Sequence, residues 1–239
     1  MQRIGLIVLM AFLLLAAPKA FAACQQKKPY TSKIVINMET PDPVYDLSKD
    51  IKFLNNDGGA SAKEWIEKNK MQGIWSSQHM EKAGQAAGGW AVYYNYKLDV
   101  QPFDPYWAYA CLYIKDMTIN MMYRTIIMIP QDYKKGGCAY NLIQDHELKH
   151  FNVGKSVAQK TAERLRQDMP KILERLEAEH VGSDKTQQRA DQMKVSMAEL
   201  VDVYFKQVMR EEMERRNNQV DSPEEYARIG QGIRACDKQ

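Results

Sequence analysis

From residue 33 the chain alternates apolar and polar positions. Ile34, Ile36 and Met38 fall on one side and Lys33 and Asn37 on the other, the period of a short strand. Pro41 and Pro43 interrupt that run. Residues 46–54 predict a short helix capped by Asp46 or Ser48, ended by the turn sequence Asn55-Asn56-Asp57-Gly58-Gly59, and Ser61 opens a further helix through Trp65 and Ile66. A small-residue loop is expected at 84–89. Beyond it Val92, Tyr94, Tyr96, Leu98 and Val100 alternate with Tyr93, Asn95, Lys97 and Asp99, the cleanest strand pattern in the chain. Residues 110–121 and 125–129 are two more β-rich runs, expected to form a hairpin turning at 122–124 and ended by Pro130.

After Lys134-Lys135-Gly136-Gly137 the pattern changes to helix-forming residues. One helix is expected over 141–180, bent or broken at Pro170. Gly182-Ser183-Asp184 is a turn, a second helix covers 184–217, and a short one follows Ser222. The order predicts an α+β fold, with a β-rich N-terminal half packed on a long C-terminal helical hairpin.

The N-terminus adds a targeting signal. Arg3 precedes an apolar stretch, 4–17, that is too short to span a bilayer and is closed by Pro18 and Lys19. Ala20-Phe21-Ala22 places small residues where signal peptidase reads, so residues 1–22 are expected to be a signal peptide and 23–239 a single domain, periplasmic or secreted. Lipidation at Cys24 is the minority alternative. No later stretch is apolar enough to be a transmembrane segment in the mature chain. The net charge of +3, with acids and bases interspersed, gives no nucleic-acid footprint. Four cysteines, Cys24, Cys111, Cys138 and Cys236, suggest two disulfides in an oxidising compartment, and their spacing offers no Cys-based zinc site. If the hairpin turns near Tyr123, Cys111 and Cys138 lie about equally far from the turn and are expected to pair, leaving Cys24 for Cys236.

The chemistry concentrates at His146-Glu147-Leu148-Lys149-His150. In this H-E-x-x-H pattern two imidazoles four residues apart share one helical face and can bind one Zn²⁺, while Glu147 can act as general base on a water. An H-E-x-x-H helix in an α+β domain makes a zincin-like fold the expectation. Asp145 and Lys149 are expected to form a solvated pair on the outer face. His79 reads as a surface residue, and His180 lies too far along the helix to reach the motif. The metzincin extension is absent, since Val153 and Ser156 stand where it needs Gly and His. The methionines, among them Met117, Met121, Met122, Met128, Met193, Met197, Met209 and Met213, read as core filler rather than a copper site.

The segment Ile129-Pro130-Gln131-Asp132-Tyr133-Lys134-Lys135-Gly136-Gly137-Cys138-Ala139-Tyr140-Asn141, running into Asp145-His146-Glu147 and His150, resembles a bacterial family of predicted secreted zinc-dependent proteases. Val220-Asp221-Ser222-Pro223-Glu224-Glu225-Tyr226-Ala227-Arg228 is similar to its later motif, and Pro43-Val44-Tyr45-Asp46-Leu47 matches more loosely. Glu224 and Tyr226 stand where many members have Thr and His. The resemblance implies His146 and His150 as ligands, Glu147 as base, Asp221 as the acid of the later motif, and a peptide or protein substrate.

Geometry bears on the third metal ligand as well. If the hairpin returns antiparallel at the same rise, residues near 218 come level with the motif, and Asp221, Glu214 and Glu211 are candidates. Ser222-Pro223-Glu224-Glu225 forms a capping box, which leaves Asp221 without a capping duty. The glutamates mix with Arg210, Arg215 and Arg216 as a solvated face. Substrate is expected to lie along the strand 125–129 by strand addition. Two other readings stay open: a non-catalytic envelope protein with a metal-stabilised hairpin, and a zinc amidase acting on cell-wall peptides.

Overall fold

The computed structural model describes residues 24, 31–56, 58–69, 72–74, 84–102, 109–176 and 180–236. Their elements are, in order, β1 (Lys33–Glu39), β2 (Val44–Asp46), α1 (Ile51–Asn56), α2 (Gly58–Lys68), β3 (Gln72–Ile74), β4 (Gln85–Pro102), β5 (Tyr109–Met128), α3 (Cys138–Leu176), β6 (His180–Gly182), α4 (Thr186–Val220) and α5 (Pro223–Cys236). The class is mixed α+β, strand-rich first and helical later. The expected signal peptide and His79 lie outside the described residues.

Several local expectations change. No hairpin turns at 122–124: β5 is one strand of 20 residues. Met122, Tyr123 and Arg124 supply none of the Gly or Asn that a tight hairpin turn needs. Residues 85–89, expected as loop, open β4. Their small side chains serve close approach instead, because a Cβ at Gly88 would collide with the Tyr123 ring. Asp46 ends β2, and Asp50 caps α1 by accepting from the Phe53 N–H at 2.7 Å. α3 runs unbroken through Pro170 to Leu176, and His180 belongs to β6.

The sheet order is β1-β5-β4-β3, so β5 is central. β2 lies parallel to its end, with Val44, Tyr45 and Asp46 opposite Ile126, Ile127 and Met128. The segment 125–129 is therefore no free edge, and strand addition of a substrate there is excluded. Two core clusters explain the placement. Ile126 and Met128 pack with Leu54 and Ala87, with Phe53 and Trp65 against them. Ile127 and Ile129 pack with Tyr140, Ile143 and Phe151 of α3. Successive side chains of a strand point to opposite faces, so both faces of this end of β5 are covered.

The chain divides into two compact units. The first comprises Met1–Val35, Asn95–Thr118 and Arg166–Val201, and the second Ile36–Tyr94, Ile119–Leu165 and Asp202–Gln239. In the first unit Cys24 is bonded to Cys111, and the Tyr113 hydroxyl donates to the Cys24 carbonyl at 2.6 Å. In the second, Cys138 is bonded to Cys236. Both pairings correct the expected ones. The Cys111–Cys138 pairing depended on a hairpin that does not form. The Cys24 thiol is engaged, which leaves it no free sulfur for a lipid. Among the described residues no helix is long and apolar enough to cross a membrane. With two disulfides this fits an extracellular or periplasmic protein.

Within the second unit α3 buries the stripe Ile143, His146, Glu147, Phe151, Gly154, Val157, Ala158, Thr161, Ala162 and Leu165, spaced three and four apart. The methionines Met117, Met121, Met128, Met193, Met197, Met209 and Met213 are buried as core filler.

Candidate metal centre

The H-E-x-x-H segment begins in the third turn of α3, which Cys138 opens after the turn at Gly136 (φ 77°). Ile143 anchors the segment against Ile127 of β5 and Ile129 just beyond it. This packing turns His146 and Glu147 inward, where they are 5% and 4% exposed. His150 follows one turn later.

Asp221 comes from the far end of α4. Its backbone N–H donates to the Asn217 carbonyl at 2.8 Å and closes the last helical turn. Ser222 then caps α5, accepting from the Glu225 N–H at 3.2 Å, as the sequence predicts. Asp221 is thereby left facing the histidines. Its Oδ1 lies 3.0 Å from His150 Nε2 and 3.5 Å from His146 Nε2, and the two nitrogens are 3.3 Å apart. His146, His150 and Asp221 form a group that can hold a metal ion. The alternatives are placed elsewhere: Glu214 pairs with Arg210 at 3.0 Å on an exposed face, and Glu211 is exposed.

The donor triangle is small enough for its three atoms to hold one metal ion. Tetrahedral coordination with bonds of about 2.0–2.1 Å puts donors about 3.3–3.4 Å apart. Two imidazoles and a carboxylate are also a donor set that suits zinc.

The surroundings orient these donors. Asn217 Oδ1 lies 3.1 Å from His150 Nδ1, and Tyr226 donates its hydroxyl to Asp221 Oδ1 at 3.1 Å. Burial alone would raise the Asp221 pKa, but bonds to His146, His150 and Tyr226 outweigh it and hold the carboxyl well below the usual range. Burial pulls His150 down, yet Asp221, Glu147 and Asn217 together leave it raised. Burial is also the main cause of the raised Glu147 pKa, opposed by the two histidines and by the Ala86 backbone N–H, which donates to its carboxylate. Lys149, expected to pair with Asp145, is ion-paired with Glu225 instead. Tyr123, fully buried, is pushed up to about 12 by desolvation. It lines, with Thr125, His150 and Asn217, a cavity of about 20 Å³, room for one water.

Sequence reasoning brought together His146, Glu147, His150 and Asp221, but missed Asn217, Tyr226, Glu225 and Tyr123. Asn217 had a readable signal: it lies one helical turn before Asp221 on the same face.

Fold and site together define an α+β protein with a half-buried two-histidine, one-aspartate group beside a buried glutamate. No protein-family model, curated protein or solved structure matches the chain.

Proposed function

We propose that this chain is a periplasmic or secreted zinc-dependent peptidase with a zincin-like site, in which His146, His150 and Asp221 bind Zn²⁺ and Glu147 is the general base. The observation that carries the reading is the donor triangle of 3.0, 3.3 and 3.5 Å on an H-E-x-x-H helix. Residues 129–141 and 220–228 resemble a family for which the same chemistry is predicted from the same H-E-x-x-H motif. Zinc at this site would supply a Lewis acid that acidifies water and polarises a carbonyl.

The chain's own groups supply the rest. Asn217 sets the His150 tautomer so that Nε2 keeps its lone pair. Glu147, held by the Ala86 N–H, would take a proton from the attacking water and return it to the leaving amine. Its raised pKa brings it nearer the operating range of such a base.

The test is metal analysis of the purified mature chain, then peptidase assays with and without chelator on wild type and Glu147→Gln. One equivalent of zinc in both, with hydrolysis in wild type alone, is the expected result. Zinc in both without hydrolysis in either would favour a non-catalytic envelope protein, a reading to which the near-complete burial of His146 and Glu147 lends weight. Cleavage of cell-wall peptides alone would favour an amidase.

A further inference from the structure

We infer that Glu225 is the positioning residue that fixes the His146 ring for metal binding. This rests on the metal reading above and extends it to a residue with no ligand role. His146 presents Nε2 to Asp221 and His150, so its other nitrogen, Nδ1, must carry the proton when Nε2 binds a cation. That Nδ1 is buried and, among the described residues, has no hydrogen-bond partner. A buried N–H left in this state is unfavourable, and native structures pair nearly all such groups. Glu225 Oε1 stands 3.7 Å from it, a small rotation away from a hydrogen bond.

Glu225 is built to stay there. Arg228 donates to both carboxylate oxygens at 2.8 and 2.9 Å, Lys149 adds an ion pair, and the Glu225 backbone N–H is held by Ser222. The Glu225 side chain is 17% exposed, against 46% and 51% for the Lys149 and Arg228 side chains. A surface ion pair needs no such burial of its carboxylate, whereas an acceptor for His146 does. The two histidines thus differ: His150 faces a neutral amide oxygen and His146 a carboxylate. Ligand histidines commonly donate their second N–H to a partner of this kind, and removing it weakens metal affinity about 10–100-fold.

The experiment uses the full mature chain. Zinc dissociation constants are measured by competition with a chromogenic chelator for wild type, Glu225→Ala, Glu225→Gln and Lys149→Met. Glu225→Ala should bind about 10–100-fold more weakly. Lys149→Met keeps the acceptor and should stay within about fivefold of wild type, since exposed ion pairs contribute little. Glu225→Gln, near in shape, guards against a misfolded Ala variant: in its zinc form the His146 Nδ1–H proton resonance should move upfield from the wild-type position. Unchanged affinity in Glu225→Ala, an unmoved resonance in Glu225→Gln, or equal losses in Glu225→Ala and Lys149→Met would overturn the assignment. Wild type that binds no zinc would instead overturn the metal reading, and this inference with it.

Discussion

Asn217 Oδ1 meets His150 Nδ1 at 3.1 Å, across from the Nε2 that faces Asp221. An acceptor at Nδ1 keeps the proton there and frees Nε2 for a cation. Asn217→Leu removes the acceptor and should weaken zinc binding by about 10–100-fold, while Asn217→Asp should retain most of it. Chelator competition reads both, and a Leu variant with wild-type affinity would falsify this role.

Glu147 is a buried carboxyl whose charged form is disfavoured by its surroundings. Its folded pKa is raised, chiefly by burial, above that of the unfolded chain. With metal removed, the folded state therefore holds the proton to higher pH than the unfolded state. Stability is lost as pH rises from about 4.5 through the folded value. Glu147→Gln lacks that loss. In excess chelator its melting temperature should match wild type near pH 4 and exceed it at pH 8. Equal melting temperatures at pH 8 would show that burial does not disfavour the charged carboxylate.

Tyr123 is wedged between strand and helix. A Cβ at Gly154 on α3 would collide with its hydroxyl and ring, as would one at Gly88 on β4. Gly→Ala inside a helix normally stabilises by about 1 kcal/mol, but overpacking against a rigid buried ring costs about 1–3 kcal/mol. The second effect should win, so that Gly154→Ala lowers stability in urea denaturation. Tyr123→Phe should restore only part, because ring carbons also crowd the site. A double-mutant cycle with no coupling between the two positions would contradict this packing.

The Cys138–Cys236 disulfide joins the start of α3 to the end of α5, with a sequence separation of 98. It closes the loop that contains every proposed ligand. Chain-entropy estimates for such a loop are about 4–5 kcal/mol, and native losses about 2–5 kcal/mol. The Cys138→Ser/Cys236→Ser double variant should unfold at markedly lower denaturant and hold zinc less tightly. Unaltered stability and affinity would argue that packing alone holds α5 in place.

Much of the site was legible because helical geometry is local. Spacing of four placed His146 and His150 on one face, and a constant rise carried the count back to Asp221. The capping logic at Ser222 also held. What was illegible depended on partners remote in sequence. The run Ile126-Ile127-Met128-Ile129 is apolar without alternation, the mark of a strand covered on both faces. Reading it instead as one arm of a hairpin misplaced both disulfides and the substrate edge. Gly88 read as loop because the ring it accommodates, Tyr123, lies on another strand. Glu225 read as part of a capping box, and only the fold shows its carboxylate turned towards His146.

The donor set is divided along the chain: His146 and His150 arrive with α3, Asp221 only at the end of α4. At translation rates of about 5–20 residues per second, the stretch from 150 to 221 takes several seconds to synthesise. Through that interval the nascent chain offers the two imidazoles without the third proposed donor, Asp221. Cys236 follows later still, so neither the third donor nor the covalent clasp exists until both helices have been made. Under the proposed metal reading, acquisition is then a late event in the life of the molecule, and the ion taken up would be set by the compartment in which folding finishes.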